Sequence, residues 1–129
     1  MNIDINKSLD ELEGTTWGEP DFQSSLTLRC HELRKKKLKD FSAGDLRVMI
    51  GQKISIEYLV PLALETLVTN PFVAGDIYHG DLLIQVLGID KQFWNQNGDL
   101  SFELKEVISI AKETLETISP FIRDFNLTD

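Results

Sequence analysis

Leu104, Val107, Ile108, Ala111, Leu115 and Ile118 recur at steps of three and four residues, and Glu103, Glu106, Lys112, Glu113 and Glu116 all fall outside that stripe. Only a helix brings such positions onto one face, so the C-terminal third is committed to an amphipathic α-helix that needs a body to lie against. Pro120 should end or kink it, because proline removes a backbone donor and crowds the preceding turn, leaving Phe121, Ile122 and Phe125 to pack the tail.

The same period runs through most of the chain. Ser8 and Glu11 have the spacing of a capping box for a short helical turn, with Gly14 placed to stop it. Phe22, Leu26, Cys30 and Leu33 form the apolar stripe of a second helix, off which Gln23, Thr27 and Arg34 fall. Ser42 with Asp45 makes another capping box, opening a helix that buries Leu46, Met49 and Ile50 and stops at Gly51. Pro61 argues against one continuous helix from Ile54 to Asn70, so the reading is a turn through Tyr58 followed by a helix with Pro61 in its first turn, burying Leu64, Leu67 and Val68 before Asn70-Pro71. Gly75 to Gly80 has turn chemistry, Gly80-Asp81 precedes a helix through Leu82, Leu83, Val86 and Leu87 with Gly88 as its stop, Asp90 to Trp94 adds a turn, and Asn95 to Gly98 is a polar loop.

Strand signals are weak. Lys53 to Tyr58 alternates, but no neighbouring run offers it a partner. The expected fold is therefore all-α, a compact bundle of about five to seven short and medium helices forming one domain over residues 1–129. That length can bury roughly two thirds of the unfolded surface in one core. No apolar run approaches the ~20 residues of a membrane span, and the first residues lack the basic start and apolar stretch of a secretory signal, so a cytoplasmic location is expected. The single cysteine, Cys30, forms no internal disulfide and reads as a small buried side chain.

Charge is segregated. The net charge of −8 divides into −5 over residues 1–28, +3 over residues 29–75 and −6 over residues 76–129. Acidic ends repel phosphate backbones and steer basic partners inward, so nucleic acid is excluded as the expected ligand. The basic run Arg34 to Lys37 with Lys39 lacks aromatics for base stacking and reads as a solvated helix terminus, with contact to the acidic ends as the second reading.

Chemistry-bearing patterns are sparse. His31 and His79 lie in no metal-binding spacing, and no phosphate loop or nucleophile motif is present, so no metal, cofactor or catalytic residue is expected. Adjacent helix residues diverge by about 100°, which separates Cys30 from His31 as a thiol and its base. The most site-like cluster is Asp76, Tyr78, His79 and Asp81 between Gly75 and the next helix. Asp81 reads equally as a helix cap, and Asp76 as a residue that fixes its own turn. Trp17 is placed to close the N-terminal arm over the helices, and Phe72, Val73 and Ile77 could pack inside or pair two copies, although a monomer is expected.

The block Phe41 to Pro61, F-S-A-G-D-L-R-V-M-I-G-Q-K-I-S-I-E-Y-L-V-P, together with Leu12-Glu13-Gly14, Trp17-Gly18, Cys30-His31-Glu32-Leu33-Arg34 and Gly75 to Leu83, resembles the immunity proteins of bacterial contact-dependent growth inhibition systems. The resemblance covers roughly residues 8–95. It implies a non-enzymatic inhibitor that binds and neutralises a cognate toxin domain, the C-terminal domain of a large secreted effector. Many such toxins are nucleases, whose cationic cleft an acidic surface can occlude. The matched pieces read as scaffold, so the partner-binding residues are inferred from charge: Asp76, Tyr78 and Asp81 in the loop, and Glu103, Glu106 and Glu113 on the last helix. The alternatives are a small hydrolase or transferase using Cys30, His79 and Asp76, and a helical adaptor for a non-toxin partner.

Overall fold

The computed structural model describes residues 2–20 and 24–127. Phe22 of the second-helix stripe lies outside them. Among the described residues there are seven α-helices, a 3-10 turn at Leu38–Asp40 and no strand: α1 Leu9–Glu13, α2 Ser25–Arg34, α3 Ala43–Gly51, α4 Ile56–Thr69, α5 Asp81–Leu87, α6 Lys91–Gln96 and α7 Gly98–Asp124. The fold is all-α, as the periodicity predicts.

Both capping boxes form. Ser8 accepts from the Glu11 N–H while Glu11 bonds back to the Ser8 N–H, and Ser42 and Asp45 make the same exchange at the start of α3. Gly14 ends α1 with φ +67°, the left-handed conformation that glycine adopts without a Cβ penalty.

Helix α4 is the centre of the body, packed against α3, α5 and α7. It buries Leu59, Val60, Ala63, Leu64 and Leu67, each contributing roughly 1.5–3 kcal/mol if it is a large aliphatic side chain. It also runs straight through Pro61, contrary to the split expected from sequence. The missing donor would have bonded the carbonyl of Glu57 in the first turn, where the chain is exposed and water can replace it. One lost bond is outweighed by the burial of five apolar side chains. Val68, expected inside, is exposed, as is Leu26 of α2.

Arg34 is a larger departure. Expected in solvent, it is 2% exposed. Its Nε donates to Asp10 at 2.9 Å, Nη1 donates to Glu13 and to Ser55 Oγ at 3.1 Å, Nη2 reaches the Thr15 carbonyl at 3.4 Å, and the guanidinium lies 4.8 Å from the Trp17 ring centre. The acidic N-terminal arm is thereby tied to α2, and Trp17 closes over it edge-on to His31. Contact with an acidic end, the second reading of the basic run, describes this residue.

Helix α7 buries Leu104, Val107 and Ala111, chiefly against α4 and α6. At 1.5 Å per residue its 27 residues extend about 40 Å, while the 14 of α4 extend about 21 Å. The last turns of α7 therefore outrun their support. Leu115 and Ile118, on the expected buried stripe, are exposed, and so are Phe121, Ile122 and Phe125, which were expected to pack the tail. Pro120 does not end the helix, which continues to Asp124.

Candidate partner-binding surface

Between α4 and α5 the chain makes a tight loop pinned at both ends. Ala74 and His79 form an isolated antiparallel bridge, and the Gly80 N–H donates to the Val73 carbonyl at 3.2 Å. Asp81, the first residue of α5, is 1% exposed and accepts from the N–H groups of Gly75, Ile77 (3.0 Å) and Tyr78 (3.3 Å). Arg47 of α3 completes the clamp: its Nε donates to the Gly75 carbonyl and lies 3.6 Å from the Asp81 carboxylate. Burial pushes the Asp81 carboxyl upward, but the surrounding N–H donors of Gly75, Ile77, Tyr78 and Leu82 outweigh it and hold the group below the usual carboxylate range.

At the other end Asp76 adopts φ +82°, a left-handed conformation that costs a non-glycine residue energy. Its carboxylate is bound by Arg29 of α2 at 3.0 Å, and Arg29 also reaches Asp45 at 3.1 Å. Asp45 takes a further contact from Lys36 at 2.7 Å. Burial raises the Asp45 carboxyl, yet the bonds from Lys36, the Ser42 N–H and Arg29 prevail and lower it overall. Close approach makes the dock tight: a Cβ on Gly44 would fall 1.9 Å from Asp76 Oδ2, and one on Gly75 would fall 3.0 Å from the Ala43 carbonyl oxygen.

What this frame presents is the tip. Ile77 is 65% exposed and Tyr78 49%, side by side on a backbone that three bonds to one buried carboxylate hold still. An apolar side chain and an amphipathic ring held out in this way are the means by which proteins anchor on one another.

Of the residues inferred from charge, Asp76 and Tyr78 share this exposed loop. Asp81 does not reach solvent, and it is not the helix cap that the sequence allowed: Gly80 occupies the cap position with no side-chain cap bond, and the Asp81 carboxylate instead gathers the N–H groups of the loop. Glu103, Glu106 and Glu113 are exposed on α7 within an arc of about 80°. Glu103 and Glu106 line a shallow groove with Leu64, Glu65 and Val68 of α4, a second acidic patch to which no hydrogen bond or ion pair connects the loop. Sequence reasoning missed Arg29, Arg47 and Glu65, which lie far in the chain from the residues they join. The basic excess of residues 29–75 was the only trace of the two arginines.

Nothing about Cys30 suits nucleophilic chemistry. It is buried, and burial pushes its thiol up, against a smaller opposing pull from Arg29. A thiol kept protonated attacks poorly. Among the described residues no three His, Cys, Asp or Glu side chains converge on a metal position, and no helix is long and apolar enough to cross a membrane.

The described residues therefore combine a helical scaffold, a closely pinned loop with an exposed apolar tip, and acidic faces on α7. A family model described as CDI immunity proteins matches residues 11–116. The chain belongs to this family of immunity proteins. Membership carries toxin neutralisation as the general function and binding to a cognate toxin as the means. The matched stretch contains the capping box of α3, the clamped loop and the three acids of the α4–α7 groove, so the whole candidate surface of this immunity protein falls within the family's extent. No curated protein and no solved structure matches the chain.

Proposed function

We propose that this immunity protein neutralises its cognate toxin domain in the cytoplasm by occlusion, without catalysis, using the Asp76–Tyr78 loop as the anchor and the exposed acids of α7 as the steering charge. The observation that carries this reading is the pairing of exposure with rigidity at Ile77 and Tyr78. A preorganised apolar tip loses little conformational freedom on binding, so more of its contact energy becomes affinity. Acidic patches on α7 draw in a toxin whose working cleft is cationic, as a nuclease cleft must be to hold phosphate. Charge complementarity of that kind accelerates encounter, while the buried anchor slows departure.

The test is binding of the purified protein to its toxin domain, with association and dissociation followed separately. Ile77→Ala and Tyr78→Ala should each weaken affinity by about 2 kcal/mol, expressed in the dissociation rate. Reversing Glu103, Glu106 and Glu113 to lysine should slow association and flatten its dependence on salt. Unchanged kinetics across both sets would place the binding face elsewhere on the molecule.

A further inference from the structure

The unsupported end of α7 carries a pattern more specific than amphipathicity. Leu104, Ile108, Ala111, Leu115, Ile118, Ile122 and Phe125 follow one another at steps of four, three, four, three, four and three. This is the seven-residue repeat that keeps one seam of a helix turned toward another helix. In the first half α4 answers the seam. In the second half nothing among the described residues does, and Leu115, Ile118 and Ile122 with Phe72 instead line an open, mostly apolar groove of about 570 Å³ that Glu116 borders.

We infer that two copies of this protein pair through the projecting ends of α7, packed antiparallel about a two-fold axis near Pro120. Length makes the two overhangs mutually sufficient. In that register Leu115 of each copy meets Phe125 of the other, Ile118 meets Ile122, and each Phe125 arrives beside Phe72 at the body's edge. The two bodies stay at opposite ends and do not compete with α4 for the seam. Pro120 falls on the outer side of the helix, where its missing donor and its ring touch neither partner.

Charge points to a second copy over the basic toxin as the occupant. A seam built for a basic partner would carry acids on its shoulders. Here the shoulder positions from Lys112 to Phe121 are Lys112, Thr114, Ser119 and Phe121, with no acid among them. Glu113 and Asp124 occupy the outward positions, where like charges on two copies lie farthest apart, and Glu116, one step out from the seam, borders the groove. The area also suffices: Leu115, Ile118, Phe121, Ile122 and Phe125 expose on the order of 700 Å² of apolar surface, close to the ~800 Å² that each partner contributes to an ordinary stable interface.

Sedimentation or light scattering of the purified full chain over a range of concentrations reads this directly. A species of twice the 14.7 kDa chain mass is expected, tightening as salt screens the repulsion between two chains of net charge −8. Ile118→Glu, at a position exposed in the single chain, should weaken pairing on the order of 100-fold or more while leaving the helical circular dichroism intact. Ser119→Cys should cross-link to its own copy through a short bis-maleimide, as the antiparallel register requires. A chain that stays monomeric at hundreds of micromolar overturns the inference. So does a Cys introduced at Ile118 that is freely alkylated in the protein alone and protected only when the toxin domain is added, which would assign the seam to the toxin. Neither result bears on toxin neutralisation itself.

Discussion

Arg34 and Asp81 do opposite jobs with the same device, a buried charge whose bonding capacity is filled. Arg34 spends its fork on Asp10, Glu13, Ser55 and the Thr15 carbonyl, so removing it strands two carboxylates in a partly dry pocket. Arg34→Met should cost about 3 kcal/mol in urea unfolding, and Asp10→Asn combined with it should recover part of that loss. Asp81 gathers backbone donors, and its lowered carboxyl gives the sign of a pH effect. A group that binds its proton more weakly when folded stabilises the fold above the unfolded carboxylate range and gives up that stability as pH falls through the folded value. Unfolding free energy should therefore decline below about pH 4, and Asp81→Asn should flatten that decline as well as loosen the loop. Gly44→Ala isolates the neighbouring contact. The new methyl displaces the Asp76 carboxylate, a flexible group, while alanine raises helix propensity by up to about 1 kcal/mol. Stability should change by less than about 1 kcal/mol, and toxin affinity should fall because the loop loses its Arg29 tether. The two aspartates were visible in the sequence as a cluster between glycines. Their division into one buried clamp and one exposed tether was not, because it depends on arginines 34 and 47 residues away in the chain.

At the scale of elements, capping side chains and glycines placed helix boundaries more faithfully than prolines did: the Ser8 and Ser42 caps and the Gly14 and Gly88 stops all stand where the sequence puts them. Both capping boxes were legible because a serine and an acid three residues on satisfy backbone donors whatever the rest of the chain does. Asn70-Pro71 does follow the end of α4 at Thr69, but Pro61 and Pro120 misled as breaks. Each removes one bond, and packing along the helix outweighs that in α4, while near the end of α7 the freed carbonyl belongs to an exposed turn. Pro61→Ala should accordingly stabilise the protein by about 1–2 kcal/mol, seen as a higher urea midpoint at constant slope. In α7 the apolar stripe was read correctly as a stripe and incorrectly as buried along its whole length, since periodicity reports a face and not what covers it. Hydrogen exchange on the Ile118→Glu variant should show this split, with residues 104–111 protected close to the global limit and residues 115–124 exchanging by local fraying.

For the molecule as a whole, two surfaces with opposite responses to salt can be told apart in one preparation. Toxin capture steered by acids should slow as salt rises from about 0.05 to 0.5 M, while self-association between like-charged copies should strengthen over the same range. A dimer would present two clamped loops, so the complex should contain one toxin domain per chain, measurable as a two-to-two particle by light scattering. Loss of the dimer through Ile118→Glu should leave the one-to-one stoichiometry unchanged.

By itself the sequence determined the all-α class, the capped helix starts, the segregation of charge and membership of the immunity family, because each of these rests on neighbours a few residues apart or on composition. Tertiary structure decided which charges are buried, which apolar positions are covered and how the Gly75–Gly80 loop is held. Those outcomes depend on side chains distant in the chain meeting in space: Arg34 with Asp10, Arg29 with Asp76, and an α7 longer than the helix it packs against. Burial is a property of what lies opposite a residue, and no local pattern contains that information.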